Sequence, residues 1–146
     1  MELPKRTLNI AVIGVGHLGQ HHARIFSSLK ESRLLCVVDT DLIQAKKIAK
    51  KYKCDYYTDY KDIPDEVDCV SIVVPTAFHF EIASYFIRRN KHIFVEKPIT
   101  KTVSEATQLV ELSKDKNIIF QVGHIERYNP VLLAVKELIK QPRFIE

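Results

Sequence analysis

Apolar and polar positions along this chain follow two rhythms. Largely apolar runs at 8–13, 34–38, 70–74, 92–95 and 118–122 read as buried strands, and Asp55-Tyr56-Tyr57 as a shorter, weaker one. Between them apolar residues recur at three- and four-residue steps, as on one face of a helix. The stripes are Leu18, Ile25, Phe26, Leu29; then Leu42, Ala45, Ile48, Ala49, Tyr52; then Ile82, Ala83, Phe86, Ile87; then Val103, Ala106, Leu109, Val110; and finally Val131, Val135, Leu138, Ile139. Thr102-Val103-Ser104-Glu105 has the form of a capping box. Asn129-Pro130 pairs an N-cap residue with a proline suited to the first helical turn. Strands that lack polar alternation are covered on both faces. Strands separated by helices then predict an α/β fold with a doubly wound parallel sheet, formed by residues 1–141.

Composition narrows the class. A chain of 146 residues that is 46% hydrophobic and 27% charged is the size and make-up of one globular domain. The net charge of +4 comes from lysines scattered over presumed helix faces, so no nucleic-acid partner is expected. No run is long enough to span a bilayer, and no apolar leader precedes the first strand, so a cytoplasmic protein without membrane contact is expected. Cys36, Cys54 and Cys69 are odd in number and lack CxxC spacing, which predicts reduced, buried thiols and no disulfide.

The first strand runs into Gly14-Val15-Gly16-His17-Leu18-Gly19, and Asp39 follows Gly19 by 20 residues. Strand, GxGxxG, helix and a delayed acid are the parts of a dinucleotide-binding turn. Gly14 permits the tight turn, Gly16 lets backbone approach a pyrophosphate, and Gly19 lets helix pack on strand. The helix start presents free N–H groups to phosphate. Asp39 accepts from ribose hydroxyls and repels a 2′-phosphate. With no arginine at Thr40 or Asp41, the cofactor expected is NAD rather than NADP.

Ligands of doubly wound sheets lie over the carboxyl ends of the strands. Those ends carry Asp39-Thr40-Asp41, Pro75-Thr76 with His79, Glu96-Lys97-Pro98, and Gly123 through Tyr128. Lys97 stands out as a cation directly after a central strand, restricted by Pro98. Partly desolvated beside a cationic nicotinamide, it would have a lowered pKa and could assist an alcohol in losing its proton. Against this stands a plain surface lysine next to a turn, the commoner case for a lysine taken alone.

GVGHLGQHH, VVDTD, VSIVVPTAFHFEIA, HIFVEKPIT and QVGHIERYNP together resemble the Gfo/Idh/MocA family of oxidoreductases, in order, over residues 8–140. The resemblance implies that Lys97 lies beside the nicotinamide and the reacting carbon. It implies that Gly14, Gly16, His17, Leu18 and Gly19 meet the pyrophosphate, and Asp39 and Thr40 the ribose. It further implies that Pro75, Thr76, His79, Glu96 and Arg127 line the cofactor, and that the Lys97–Pro98 peptide is cis. The substrate implied is a sugar or nucleotide-sugar alcohol. GHIERYNP is similar to the branch that oxidises C3 of UDP-N-acetylglucosamine, and an inositol is the other polyol in view. The family continues into a second, open-sheet domain that binds substrate and builds a homo-oligomer. Residues 142–146 read as the start of that domain, which leaves Leu132, Leu133 and Phe144 as uncovered apolar surface.

Other readings remain open. A non-enzymatic NAD-binding module would keep the glycine turn but have no use for Lys97. A methyltransferase using S-adenosylmethionine shares the turn and the acid but not Glu96-Lys97-Pro98. His17 and His21 are four apart with no acid at ligand spacing, so no metal is expected. His124 is balanced between a ligand contact and a surface position, Glu126-Arg127 is consistent with a salt-bridged turn, and Tyr56, Tyr57 and Tyr60 fit sheet-edge packing.

Overall fold

A computed structural model describes residues 6–135. Six parallel strands form one sheet in the order β3-β2-β1-β4-β5-β6: β1 Leu8–Ile13, β2 Ser32–Val38, β3 Asp55–Tyr57, β4 Cys69–Ile72, β5 His92–Val95 and β6 Phe120–Val122. Helices α1 Gly19–Ser28, α2 Leu42–Tyr52, α3 His79–Arg88, α4 Val103–Ser113 and α5 Pro130–Val135 alternate with them. The strand order reverses between β1 and β4, and a dinucleotide site forms at such a switch point. The β-branched runs are buried on both faces as their pattern predicts. Ala11, Ile13, Cys36, Val70, Ile72 and Val95 pack toward α3 and α4, while Val12, Val37 and Leu34 pack toward α1 and α2.

Helix starts follow their sequence signals. Asp41 accepts from the Ile43 and Gln44 N–H groups. Thr102 and Glu105 form the full capping box. Asn129 Oδ1 accepts from Val131 N–H at 3.0 Å.

Two stripes face differently from their expected direction. At α1, Leu18, Ile25 and Leu29 are exposed, whereas Phe26 of the same stripe does pack on the core, joined there by Gly19 and Ala23. The glycine turn brings this helix so near β1 that only small residues fit underneath. In α4, Val103 is 84% and Val110 52% exposed, while Leu109 is fully buried and Leu112 packs beside it. One helix at a sheet edge buries a narrow face, so the wider stripe was overdrawn. Of the last predicted stripe, Val131 is exposed, and Leu138 and Ile139 lie outside the described residues, as does the 142–146 segment. Leu132 and Leu133 are exposed as expected; Phe144 is not described.

No helix among the described residues is long and apolar enough to cross a membrane. All three cysteines are unpaired. Burial pushes the Cys36 and Cys69 thiols up to about 12 and that of Cys54 to about 11, so all three are thiols rather than thiolates.

Candidate active site

The glycine turn is built by contact. Gly14 adopts φ +82°, and a Cβ there would lie 2.5 Å from the Val73 carbonyl oxygen. A Cβ on Gly19 would overlap the Gly14 carbonyl, so the start of α1 rests directly on the turn. A Cβ on Gly16 would meet nothing within 4 Å, which leaves its backbone open to an approaching ligand. Asp39 holds the loop from the side. Its Oδ2 accepts from Val15 N–H at 2.9 Å and its Oδ1 from Asp41 N–H at 3.0 Å. Gln44 Nε2 donates to Val15 O at 2.6 Å.

Gly14, Gly16, Asp39, Thr40 and Pro75 line one cavity of about 570 Å³ at the switch point. Thr58, Asp59, Tyr60, Phe78 and Glu81 complete its far wall, and sequence reasoning missed their place there. The signal was present but diluted: they follow the short third strand and open α3, which are themselves carboxyl-edge positions. Tyr60 does pack as expected, edge-on to Tyr85 at 5.2 Å, yet its hydroxyl also donates to Glu81 Oε1 at 2.6 Å across the cavity wall. Burial and the Glu81 carboxylate raise the Tyr60 pKa, so it remains a phenol. Among the described residues the cavity lining carries three carboxylates, Asp39, Asp59 and Glu81, and no cation.

The remaining predicted residues divide. His17 and Leu18 are exposed on the turn, and Thr76 begins the 3₁₀ turn Thr76–Phe78 after β4. His79 is 1% exposed and wedged between two carbonyls, with Nε2 2.9 Å from Val74 O and Nδ1 2.9 Å from Pro98 O. Both ring nitrogens of His79 therefore face main-chain carbonyls inside the fold. Arg127 is exposed and lines a second, shallower hollow of about 350 Å³ with Phe94, Gly123, His124 and Tyr128, outside the glycine-turn cavity. It follows a strand at the opposite end of the sheet from β3, which carries the cavity's far wall. Glu126 pairs with Asn129 rather than with Arg127.

Glu96-Lys97-Pro98 follows β5, and the Lys97–Pro98 peptide is cis. Glu96 is 6% exposed, and its Oε2 accepts from Lys97 N–H at 3.2 Å. Lys97 itself is exposed. It sits on the rim of the sheet, where the described residues place nothing over it. Among the described residues no three of His, Cys, Asp or Glu converge on a metal position.

A 3-2-1-4-5-6 parallel sheet with a glycine turn, an open Gly16 backbone and Asp39 on one cavity defines a dinucleotide-binding Rossmann domain. Residues 8–124 match the Gfo/Idh/MocA oxidoreductase family, NAD-binding Rossmann fold, and the chain belongs to that family. It is 32% identical over 140 residues to UDP-N-acetylglucosamine 3-dehydrogenase of Acidithiobacillus ferrooxidans, covering 95% of this chain and 44% of that protein. It is 32% identical to scyllo-inositol 2-dehydrogenase (NAD(+)) of Bacillus subtilis, covering 88% of this chain and 39% of that one. Among solved structures, GenD2 from gentamicin A biosynthesis in complex with NAD superposes with a TM-score of 0.87 at 27% identity, covering 91% of this chain and 39% of that chain. The chain thus spans less than half the length of these relatives. The site is an NAD site, and its open Gly16 backbone and Asp39 carboxylate suit that cofactor.

Proposed function

We propose that this domain forms the cofactor half of a dehydrogenase that oxidises a secondary alcohol of a sugar, inositol or nucleotide sugar, with C3 of UDP-N-acetylglucosamine as the particular substrate. The observation that carries the reading is Lys97. It stands exposed on the carboxyl edge of the sheet that also bears the glycine turn, with its main chain held by a buried glutamate. A non-enzymatic NAD module has no need of a lysine fixed in that way.

Gly14, Gly16 and Gly19 with the start of α1 would hold the pyrophosphate of NAD, and Asp39 with Thr40 the adenosine ribose. Bound NAD supplies a two-electron acceptor for the hydride of the carbinol carbon. Lys97 hydrogen-bonds the reacting hydroxyl and helps carry off its proton. Similarity to the UDP-N-acetylglucosamine 3-dehydrogenase over 95% of the chain and GHIERYNP after β6 support the nucleotide sugar, while the equal 32% identity to the scyllo-inositol 2-dehydrogenase keeps an inositol as the alternative. A second domain that binds substrate and assembles copies of the protein belongs to the same proposal, with residues 142–146 as its start. So does a cytoplasmic location. The test is NAD reduction with UDP-N-acetylglucosamine, scyllo-inositol and myo-inositol supplied to the protein with its second, substrate-binding domain present; residues 1–146 alone are expected to bind NAD and to turn over none of them. Reduction with the nucleotide sugar alone supports the reading, reduction with an inositol alone replaces the substrate, and NAD binding with no reduction by any alcohol favours the regulatory module.

A further inference from the structure

The side chains of His22, Ser71 and Phe94, from three different elements, meet behind Glu96, and the reaction proposed above uses none of them directly. His22 of α1 places Nε2 3.3 Å from Glu96 Oε1 and Nδ1 2.9 Å from Ser71 Oγ of β4. Its ring lies against Phe94 of β5, with centroids 5.6 Å apart. Ser71 is fully buried, and the His22 and Glu96 side chains are 12% and 7% exposed. On the remaining side, a Cβ at Gly123 would stand 2.8 Å from Glu96 Oε1 and 3.2 Å from Oε2, so any side chain at this position would press on the carboxylate.

Donor and acceptor chemistry orders this cluster. A carboxylate only accepts, so the imidazole proton sits on Nε2 and points at Glu96. Nδ1 is then left as an acceptor, which the Ser71 hydroxyl satisfies as donor. Glu96 Oε2 accepts from Lys97 N–H. The result is one chain of hydrogen bonds, Ser71 to His22 to Glu96 and Lys97 N–H to Glu96, leading from the middle of the sheet to the main chain of Lys97. Ser71 is too deeply buried to serve as a nucleophile, so its resemblance to a hydrolytic triad ends at residue types.

We propose that His22 is a positioning residue: through Glu96 it sets the main chain of Lys97, and it couples that lysine to the helix that begins on the NAD-binding turn. This rests on the dehydrogenase reading only for its consequence in turnover. Because α1 starts at Gly19 and carries His22 on its first turn, any ligand seated on the turn and the amine on the sheet edge share one rigid element. Glu96 without His22 would have a buried oxygen with no protein donor, and would be free to turn toward solvent.

The experiment compares His22→Leu and His22→Gln in the protein. The first removes the donor, and the second keeps an N–H near the position of Nε2. Three quantities are read: exchange of the Lys97 amide proton by NMR, NAD affinity by calorimetry, and kcat with KM for the alcohol oxidised. His22→Leu is expected to speed Lys97 amide exchange by about tenfold and lower kcat by about 10- to 100-fold, the scale of an ångström-sized misplacement, with NAD affinity and KM within about threefold. His22→Gln is expected to restore most of both changes. Unchanged exchange in a folded His22→Leu protein overturns the proposal, as does a loss that His22→Gln fails to rescue. Should the protein with its substrate-binding domain present oxidise no alcohol, the dehydrogenase reading fails, while amide exchange still decides whether His22 positions Lys97. Should His22→Leu not fold, Glu96→Gln is read in the same way and is expected to speed the same amide.

Discussion

Gly19 sits so close to Gly14 that a first side-chain carbon at 19 would overlap the Gly14 carbonyl oxygen. The obstacle is backbone, which cannot swing aside as a flexible side chain can. Gly19→Ala is therefore expected to destabilise the fold by about 1–3 kcal/mol and to weaken NAD binding together with it. Gly16→Ala, which has open space beside it, is expected to leave the unfolding midpoint nearly unchanged and to weaken NAD alone. Thermal unfolding with and without NAD separates the two.

Three carboxylates and no cation line the cavity around Asp39. A 2′-phosphate would add charge of the same sign there. NAD is expected to bind more tightly than NADP, and Asp39→Asn to narrow the gap by loosening NAD about tenfold, the scale of one charge-assisted hydrogen bond. Tighter binding of NADP by the unmodified protein would contradict the electrostatic argument.

Lys97 is exposed and contributes no packing. Lys97→Ala should leave stability and NAD affinity within about twofold while lowering kcat by about 10²- to 10⁴-fold, the usual weight of a positioned acid–base group. A variant that retains full turnover would return Lys97 to an ordinary surface lysine.

Burial holds the His22 pKa below its ordinary 6.5, and the nearby Glu96 only partly opposes this, while His21 adds to the lowering. The unfolded chain therefore binds a proton at this site more readily than the folded one. The stability contributed by neutral His22 is complete above 6.5 and is lost as pH falls from there through the lowered value. The unfolding midpoint of His22→Gln should fall less steeply than that of the unmodified protein between about pH 7 and 5. Equal slopes would assign the acid sensitivity to other groups.

The three thiols, raised to about 11 or 12 by burial, should react slowly with a disulfide reagent at neutral pH until the protein unfolds. Rapid labelling of Cys36 in the folded state would show an opening of β2.

Much of this protein is written locally. Strands β1 and β5 begin and end where their largely apolar runs do, because a strand covered on both faces is marked by such a run. The capping box at Thr102, the N-cap at Asn129 and the glycine turn with Asp39 are likewise short-range patterns with a direct mechanism. Tertiary structure decided which face each helix turns inward. It buried Ala23 in place of Leu18, left Val103 in water, and set the His79 ring between the Val74 and Pro98 carbonyls. It also brought His22, Ser71, Glu96 and Gly123 together across 101 residues of sequence. No local pattern encodes that meeting. It exists because parallel strands, each followed by a crossover, place their carboxyl ends side by side, and only the assembled sheet holds those ends within hydrogen-bonding distance.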